Sequence, residues 1–136
     1  MADGGFEPIA IVGRGCVLPG ALTPAALWQA VLEDRDLLSQ APAGKWGVTD
    51  SEQAAMSYRG GFVTGFDDVF DPSAYDLGEI GVLSLDPLFQ WLLHAGREAW
   101  QEAGSPKVKR KKLGVIAGNL GYPSRTLCDF AGDIWD

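Results

Sequence analysis

The chain has little of what most catalytic and metal sites are made from. It carries one histidine, His94, and two cysteines, Cys16 and Cys128, in 136 residues. A single histidine rules out the paired-imidazole metal sites and leaves no second ring to share acid–base work. Two cysteines so far apart make no disulfide framework, and both are expected to be reduced in a cytosol. Basic residues are also scarce, with eleven Lys and Arg against eighteen Asp and Glu, a net charge of −7. Such a balance argues against binding a phosphate backbone, so no nucleic-acid partner is expected. No apolar run approaches the ~18 residues of a membrane span, so no membrane partner is expected either. Residues 1–7 (MADGGFE) have neither a basic nor an apolar stretch, and read as a loose leader rather than a signal peptide. Internal repeats and low-complexity segments are missing.

What is present is typical of a cytosolic globular domain. Hydrophobic residues make up 46%, with five Trp and six Phe to fill a core. The pattern along the chain predicts an α/β arrangement. Residues 8–20 (PIAIVGRGCVLPG) read as a short buried strand entering a glycine-rich turn. Thr23-Pro24 has the form of an N-cap followed by proline at the first helical position. A helix is predicted over 25–34, with Leu27, Trp28, Val31 and Leu32 at helical spacing. Residues 38–61 show no sustained period and read as a long surface excursion. Residues 62–70 (FVTGFDDVF) alternate loosely, as in a short strand or hairpin edge.

The clearest helix lies within residues 85–104. Asp86 can cap it, Pro87 suits its first turn, and Gly104 with Pro106 ends it. Leu88, Leu92, Ala95, Ala99 and Ala103 mark one face, with Phe89, Leu93, Gly96 and Trp100 beside it. A polar connector at 107–112 (KVKRKK) then leads to a second predicted buried strand, 113–118 (LGVIAG). A further helix is predicted to begin over 126–135. Two strands are few for a sheet, and leave edges and faces to be covered by other strands.

Candidate sites fare poorly on inspection. Gly13, Gly15 and Gly20 suggest a dinucleotide fingerprint, but its sixth position is Leu18; a P-loop would need Lys where Ala21 stands. A structural turn is the better reading. Cys16 has no neighbouring base to activate it and reads as a small buried hydrophobe, and Cys128 as filler. His94, between Leu92, Leu93, Ala95 and Gly96, reads as a structural histidine. Asp67, Asp68, Asp71, Asp76 and Glu79 lie in turn-like sequence and read as a solvated acidic face, not a buried carboxylate pair. The basic run Lys107, Lys109, Arg110, Lys111 and Lys112 reads as an exposed connector, with docking of an acidic partner such as a carrier protein as the alternative.

Several of these pieces, in this order, resemble the amino-terminal part of β-ketoacyl synthases. Residues 7–15 (EPIAIVGRG) look like that family's opening strand. Residues 16–20 with Leu27-Trp28 resemble its proline-glycine turn and first helix, and Lys45-Trp46 its basic-aromatic pair. Gly60-Gly61-Phe62, Phe66-Asp67 and Phe70-Asp71 resemble its "GGF…FDA.FF" stretch. Leu85-Asp86-Pro87, Ala99-Trp100 and Ala103-Gly104 resemble "MDPQQR…AWEALEDAG", and residues 114–118 resemble "GVF.G". In place of the usual Gln-Gln-Arg stand Leu88, Phe89 and Gln90, a version that looks more like polyunsaturated fatty acid synthases or related iterative megasynthases.

The resemblance implies the amino-terminal portion of a thiolase-like layered α/β fold, over residues 8–136, in an enzyme that is a homodimer when complete. It implies decarboxylative Claisen condensation of acyl and malonyl thioesters, with a cysteine nucleophile and two histidines. Nothing in this chain matches the family's "ACSSS" cysteine elbow, so no catalytic, cofactor-binding or metal-binding residue is assigned. The implied partners are an acyl carrier protein, bearing phosphopantetheine, and the remainder of the ketosynthase domain. On this reading the chain is a framework fragment, inactive alone. The alternative is a non-catalytic scaffold or carrier-protein-binding module derived from a ketosynthase.

Overall fold

The structure, a computed structural model, describes residues 8–42, 59–78 and 80–118. Two helices dominate it. Helix α1, Pro24–Leu32, starts where the sequence predicts, with Thr23 Oγ1 accepting from Ala26 N at 3.1 Å. Helix α2, Pro87–Glu102, is capped by Asp86, whose Oδ1 accepts from Leu88 N at 3.0 Å. Each cap satisfies an amide that the first helical turn leaves without an internal partner. Gly104 follows α2 at φ +78, a left-handed conformation that glycine adopts without a Cβ penalty.

The two predicted strands do not form. Residues 9–12 and 113–118 take irregular backbone, and their side chains face outward: Ile9 and Ile11 are each 86% exposed and Ile116 fully so. A strand exists only through its ladder to a neighbour, and no described segment pairs with either run. The sheet that is present is a two-residue antiparallel ladder, β1 (Ser39–Gln40) with β2 (Arg59–Gly60), pairing Ser39 with Gly60 and Gln40 with Arg59. It closes the two ends of the predicted excursion. Arg59 reinforces it by reaching Asp36 at 2.7 Å and the Leu38 carbonyl at 3.1 Å.

Residues 62–70 are likewise not a strand. They contain a 3-10 turn, Phe66–Asp68, entered through Gly65 at φ +71. The apparent alternation comes from Phe66 and Phe70, which are one helical turn apart and both point inward. Their rings stack at 4.9 Å, and with Val82 they form the buried cluster. Trp91, Leu93, Tyr75 and Val63 pack around it. Tyr75 stacks on Phe70 at 5.5 Å, and its buried hydroxyl has no hydrogen-bond partner among the described residues.

The predicted apolar stripes are only partly buried. On α1, Ala30 is buried while Trp28, Val31 and Leu32 are more than half exposed. On α2, Leu88, Phe89 and Leu92 are exposed and the one buried residue is His94. The small end of the predicted face is covered by backbone. A Cβ on Gly13 would stand 1.9 Å from the Ala99 carbonyl oxygen, and one on Gly15 2.1 Å from that of Ala95. The spacing explains the match. Two extended residues advance ~6.6 Å and four helical residues ~6.0 Å. Two glycines two apart can therefore each meet one of two alanines one turn apart, with the chains running in opposite directions.

Candidate functional site

Residues 13–16 thread between the end of α2 and the start of α1, and the candidate site is built around them. Gly13 and Gly15 lie against α2, and Arg14 between them is clamped by Glu102, the last residue of the same helix. Its Nη2 lies 2.5 Å from Glu102 Oε1, its Nε 3.3 Å from Oε2, and its backbone N–H also bonds Oε2. A cleft of about 400 Å³ opens beside this pair, lined by Arg14, Thr23, Pro24, Trp28, Glu98 and Gln101. A neighbouring hollow of about 340 Å³ is lined by Cys16, Leu27, Trp28 and Val31.

The electrostatics of this corner are those of a tie rather than a reactive centre. The Arg14 guanidinium, through its hydrogen bonds above all, holds the Glu102 carboxyl below the usual carboxylate range, and Glu102 raises Arg14 in return. A carboxylate with a depressed folded-state pKa contributes stability that is present above its unfolded value. That stability is lost as pH falls through the folded value. Asp36 behaves alike, held down first by the Leu38 N–H and then by Arg59, as does Asp71 through Ser73. Thermal midpoints are therefore expected to drop as pH is lowered below about 4. Glu102→Gln should show a shallower acid slope than the parent in the same melts.

Cys16 is half-buried, and its Sγ donates a weak bond to the Ala21 carbonyl oxygen at 4.0 Å. Burial pushes its thiol up, the opposite of what a nucleophile requires. Alkylation of Cys16 by iodoacetamide at pH 8 should run slower than that of a free cysteine, and converge with it when the chain is unfolded in urea. Because the chain has a second cysteine, Cys128, labelling of Cys16 is read by peptide mass spectrometry.

The structure keeps the other candidates apart. His94 is 5% exposed, edge-on to Phe66 at 5.4 Å and near Phe70 at 6.3 Å, in the aromatic cluster rather than at Cys16. Asp67, Asp68, Asp71 and Asp76 are exposed. Asp71 caps a 3-10 turn, Pro72–Ala74, through the Ser73 N–H and hydroxyl, and Asp76 accepts from Gly78 N at 3.2 Å. Among the described residues no group of three His, Cys, Asp or Glu is placed to hold a metal. Gly20, at φ +65, follows Pro19 in a tight turn closed by paired Leu18–Ala21 backbone bonds of 3.0 Å. That is what a turn of this form asks of glycine, with no phosphate needed. Cys128, Glu79, Lys45-Trp46 and the helix predicted over 126–135 lie outside the described residues. No described helix is long and apolar enough to cross a membrane.

The profile of the β-ketoacyl synthase amino-terminal domain matches residues 6–128, nearly the whole chain. The chain belongs to that family. Its curated relatives include a mycoketide-CoA synthase of Mycobacterium tuberculosis, 35% identical over 129 residues, covering 85% of this chain and 3% of the relative. Polyketide synthase GfsA of Streptomyces halstedii is 35% identical over 136 residues, covering 92% and 2%. A highly reducing polyketide synthase of Aspergillus nomiae is 31% identical over 140 residues, covering 96% and 5%. The chain thus spans only a few per cent of the length of these relatives. No solved structure gives a significant match.

The segment most like the family's opening strand and turn is the one that docks on α2 through Gly13 and Gly15. At the departure from Gln-Gln-Arg, Leu88 and Phe89 are exposed, while Gln90 Nε2 donates to the Leu85 carbonyl at 2.8 Å and braces the entry to α2. The sequence pattern places Gly13, Arg14 and Gly15 in a strand-to-turn segment and gives Arg14 no role. The signal for their true role was the two-apart glycines together with alanines at 95, 99 and 103.

Proposed function

We propose that this chain is framework for a ketosynthase that condenses acyl and malonyl thioesters held on an acyl carrier protein. In that reaction an enzyme thiolate attacks the acyl thioester and releases the carrier thiol. Loss of CO2 from the malonyl group then leaves a carbanion, which attacks the acyl-enzyme carbonyl and expels the thiolate. The carrier's phosphopantetheine arm holds the substrates, so the framework itself binds no cofactor in this reading. A thiolase-like layered fold, a homodimeric complete enzyme and a cytoplasmic setting belong to the same proposal. So does the division into a leader, 1–7, and a framework, 8–136.

One observation carries it. The family match spans residues 6–128, yet the two apolar runs that should be central strands, 9–12 and 113–118, stand open without ladder partners. Strands supplied by further polypeptide would cover them. Within the described residues Cys16 has a raised pKa and His94 is enclosed by aromatic rings, so neither supports acyl transfer.

The test is to incubate the 136-residue chain with malonyl- and acyl-carrier protein and look for carrier-bound β-ketoacyl product by mass spectrometry. No product is expected from the chain alone. Product should appear when the chain is combined with a ketosynthase polypeptide lacking the segment equivalent to 6–128. Product from the chain alone overturns the framework reading. Failure of complementation, with specific carrier binding retained, replaces it by the scaffold reading.

A further inference from the structure

The cleft beside the Arg14–Glu102 tie and the hollow next to it share Arg14, Pro24 and Trp28, so they adjoin and make a groove with two unlike ends. At about 400 and about 340 Å³, each is the size of a small-molecule site. The hollow is apolar, walled by Leu27, Val31 and the Trp28 side chain, a residue 63% exposed. The cleft is polar and carries Thr23, Glu98, Gln101 and the tie itself. None of residues 9–12 or 113–118 lines either end, so polypeptide that covers those runs need not fill the groove.

The charges of the polar end decide what it fits. Arg14 and Glu102 neutralise each other, with Nη2 lying 2.5 Å from Oε1. Glu98 is half-buried and has no cation within ion-pair distance among the described residues; its neighbour Arg97 is turned to Asp71, 4.0 Å away. The start of α1 offers an anion little. Pro24 has no N–H, and that of Ala26 is on Thr23 Oγ1 at 3.1 Å. The cleft is thus left with one uncompensated carboxylate, partly withdrawn from water, which gains from a cation brought to it. Trp28 lines the same cleft, and an indole is the ring whose face attracts cations most strongly. We propose that the groove binds a small amphipathic amine, its ammonium beside Glu98 and its hydrocarbon body along Trp28 into the hollow of Leu27 and Val31. A carboxylate or phosphate ligand would meet Glu98 as a like charge, and a wholly apolar one would leave it unpaired.

The test titrates the full chain, isotope-labelled for heteronuclear NMR, with n-hexylamine at about pH 7, where the amine is protonated. The Trp28 indole signal is the one of five that Trp28→Phe removes. A saturable shift of that signal is expected, and isothermal calorimetry gives the affinity. Glu98→Gln should weaken binding about fivefold, the upper range for a partly exposed ion pair. Trp28→Ala should weaken it about tenfold or more. Glu33→Gln removes a carboxylate already held by Arg35 and outside the groove, and should leave binding within about twofold. Hexanol and hexanoate, of the same chain length but without the cation, should bind about tenfold more weakly or worse. Circular dichroism of each variant checks that the fold is kept. Three results would overturn the proposal: no saturable binding of hexylamine, equally tight binding of hexanol or hexanoate, or an unchanged affinity in Glu98→Gln.

Discussion

Gly13→Ala is expected to unseat residues 13–16 from α2, at a cost of about 3 kcal/mol. The new methyl would sit 1.9 Å from the Ala99 carbonyl oxygen and 3.1 Å from the Ala103 Cβ. The atom it meets is helix backbone, which cannot turn aside as a flexible side chain can. Relief requires the strand-like segment to lift away, and lifting it stretches the Arg14–Glu102 tie, which spans the same contact. Gly15→Ala should behave alike, since its methyl would meet the Ala95 carbonyl at 2.1 Å. Gly96, on the same helix, has nothing within 4 Å of a built Cβ. Gly96→Ala should instead raise stability by up to about 1 kcal/mol, through helix propensity alone. Denaturant melts of the three variants against the parent check this. Equal midpoints for Gly13→Ala and Gly96→Ala would mean that the close approach is absent in solution.

Phe66→Ala is expected to cost about 3 kcal/mol or more. Phe66 is 7% exposed and meets three other rings: Phe70 stacked at 4.9 Å, His94 edge-on at 5.4 Å and Trp91 edge-on at 6.4 Å. Truncation removes its burial, opens a cavity and uncouples the 3-10 turn from α2. The near-UV dichroism and fluorescence of Trp91 should change with it, although four other tryptophans share the signal. Phe89, 53% exposed on the same helix, is the control. Phe89→Ala should shift stability by no more than about 0.5 kcal/mol. If the two substitutions cost the same, the aromatic cluster is not the core of this chain.

Local chemistry was legible in the amino acids, and non-local pairing was not. Thr23, Asp86 and Gly104 announce helix boundaries because a cap is settled within four residues, and all three sit where expected. Residues 9–12 and 113–118 carry the composition of central strands, but a strand is completed by residues far away in sequence, and no described segment supplies them. The pair Phe66 and Phe70 misled in the other direction: aromatic spacing in a short window fits a strand edge or a helical turn, and Gly65 at positive φ decides for the turn. The glycine–alanine approach needs both partners at once, so neither segment reveals it alone. Family membership, by contrast, rests on the order of many weak pieces, and order survives where single motifs are ambiguous.

The β1–β2 ladder has a consequence for what lies between its strands. Ser39 is held opposite Gly60 and Gln40 opposite Arg59, and Arg59 is further anchored to Asp36. The two ends of the intervening segment are thereby held side by side. Ends already this close keep the closure cost of a longer connection low, each doubling of a flexible one costing only about 0.6 kcal/mol. For a protein engineer the ladder is a socket, the place at which a connection of another length would be joined.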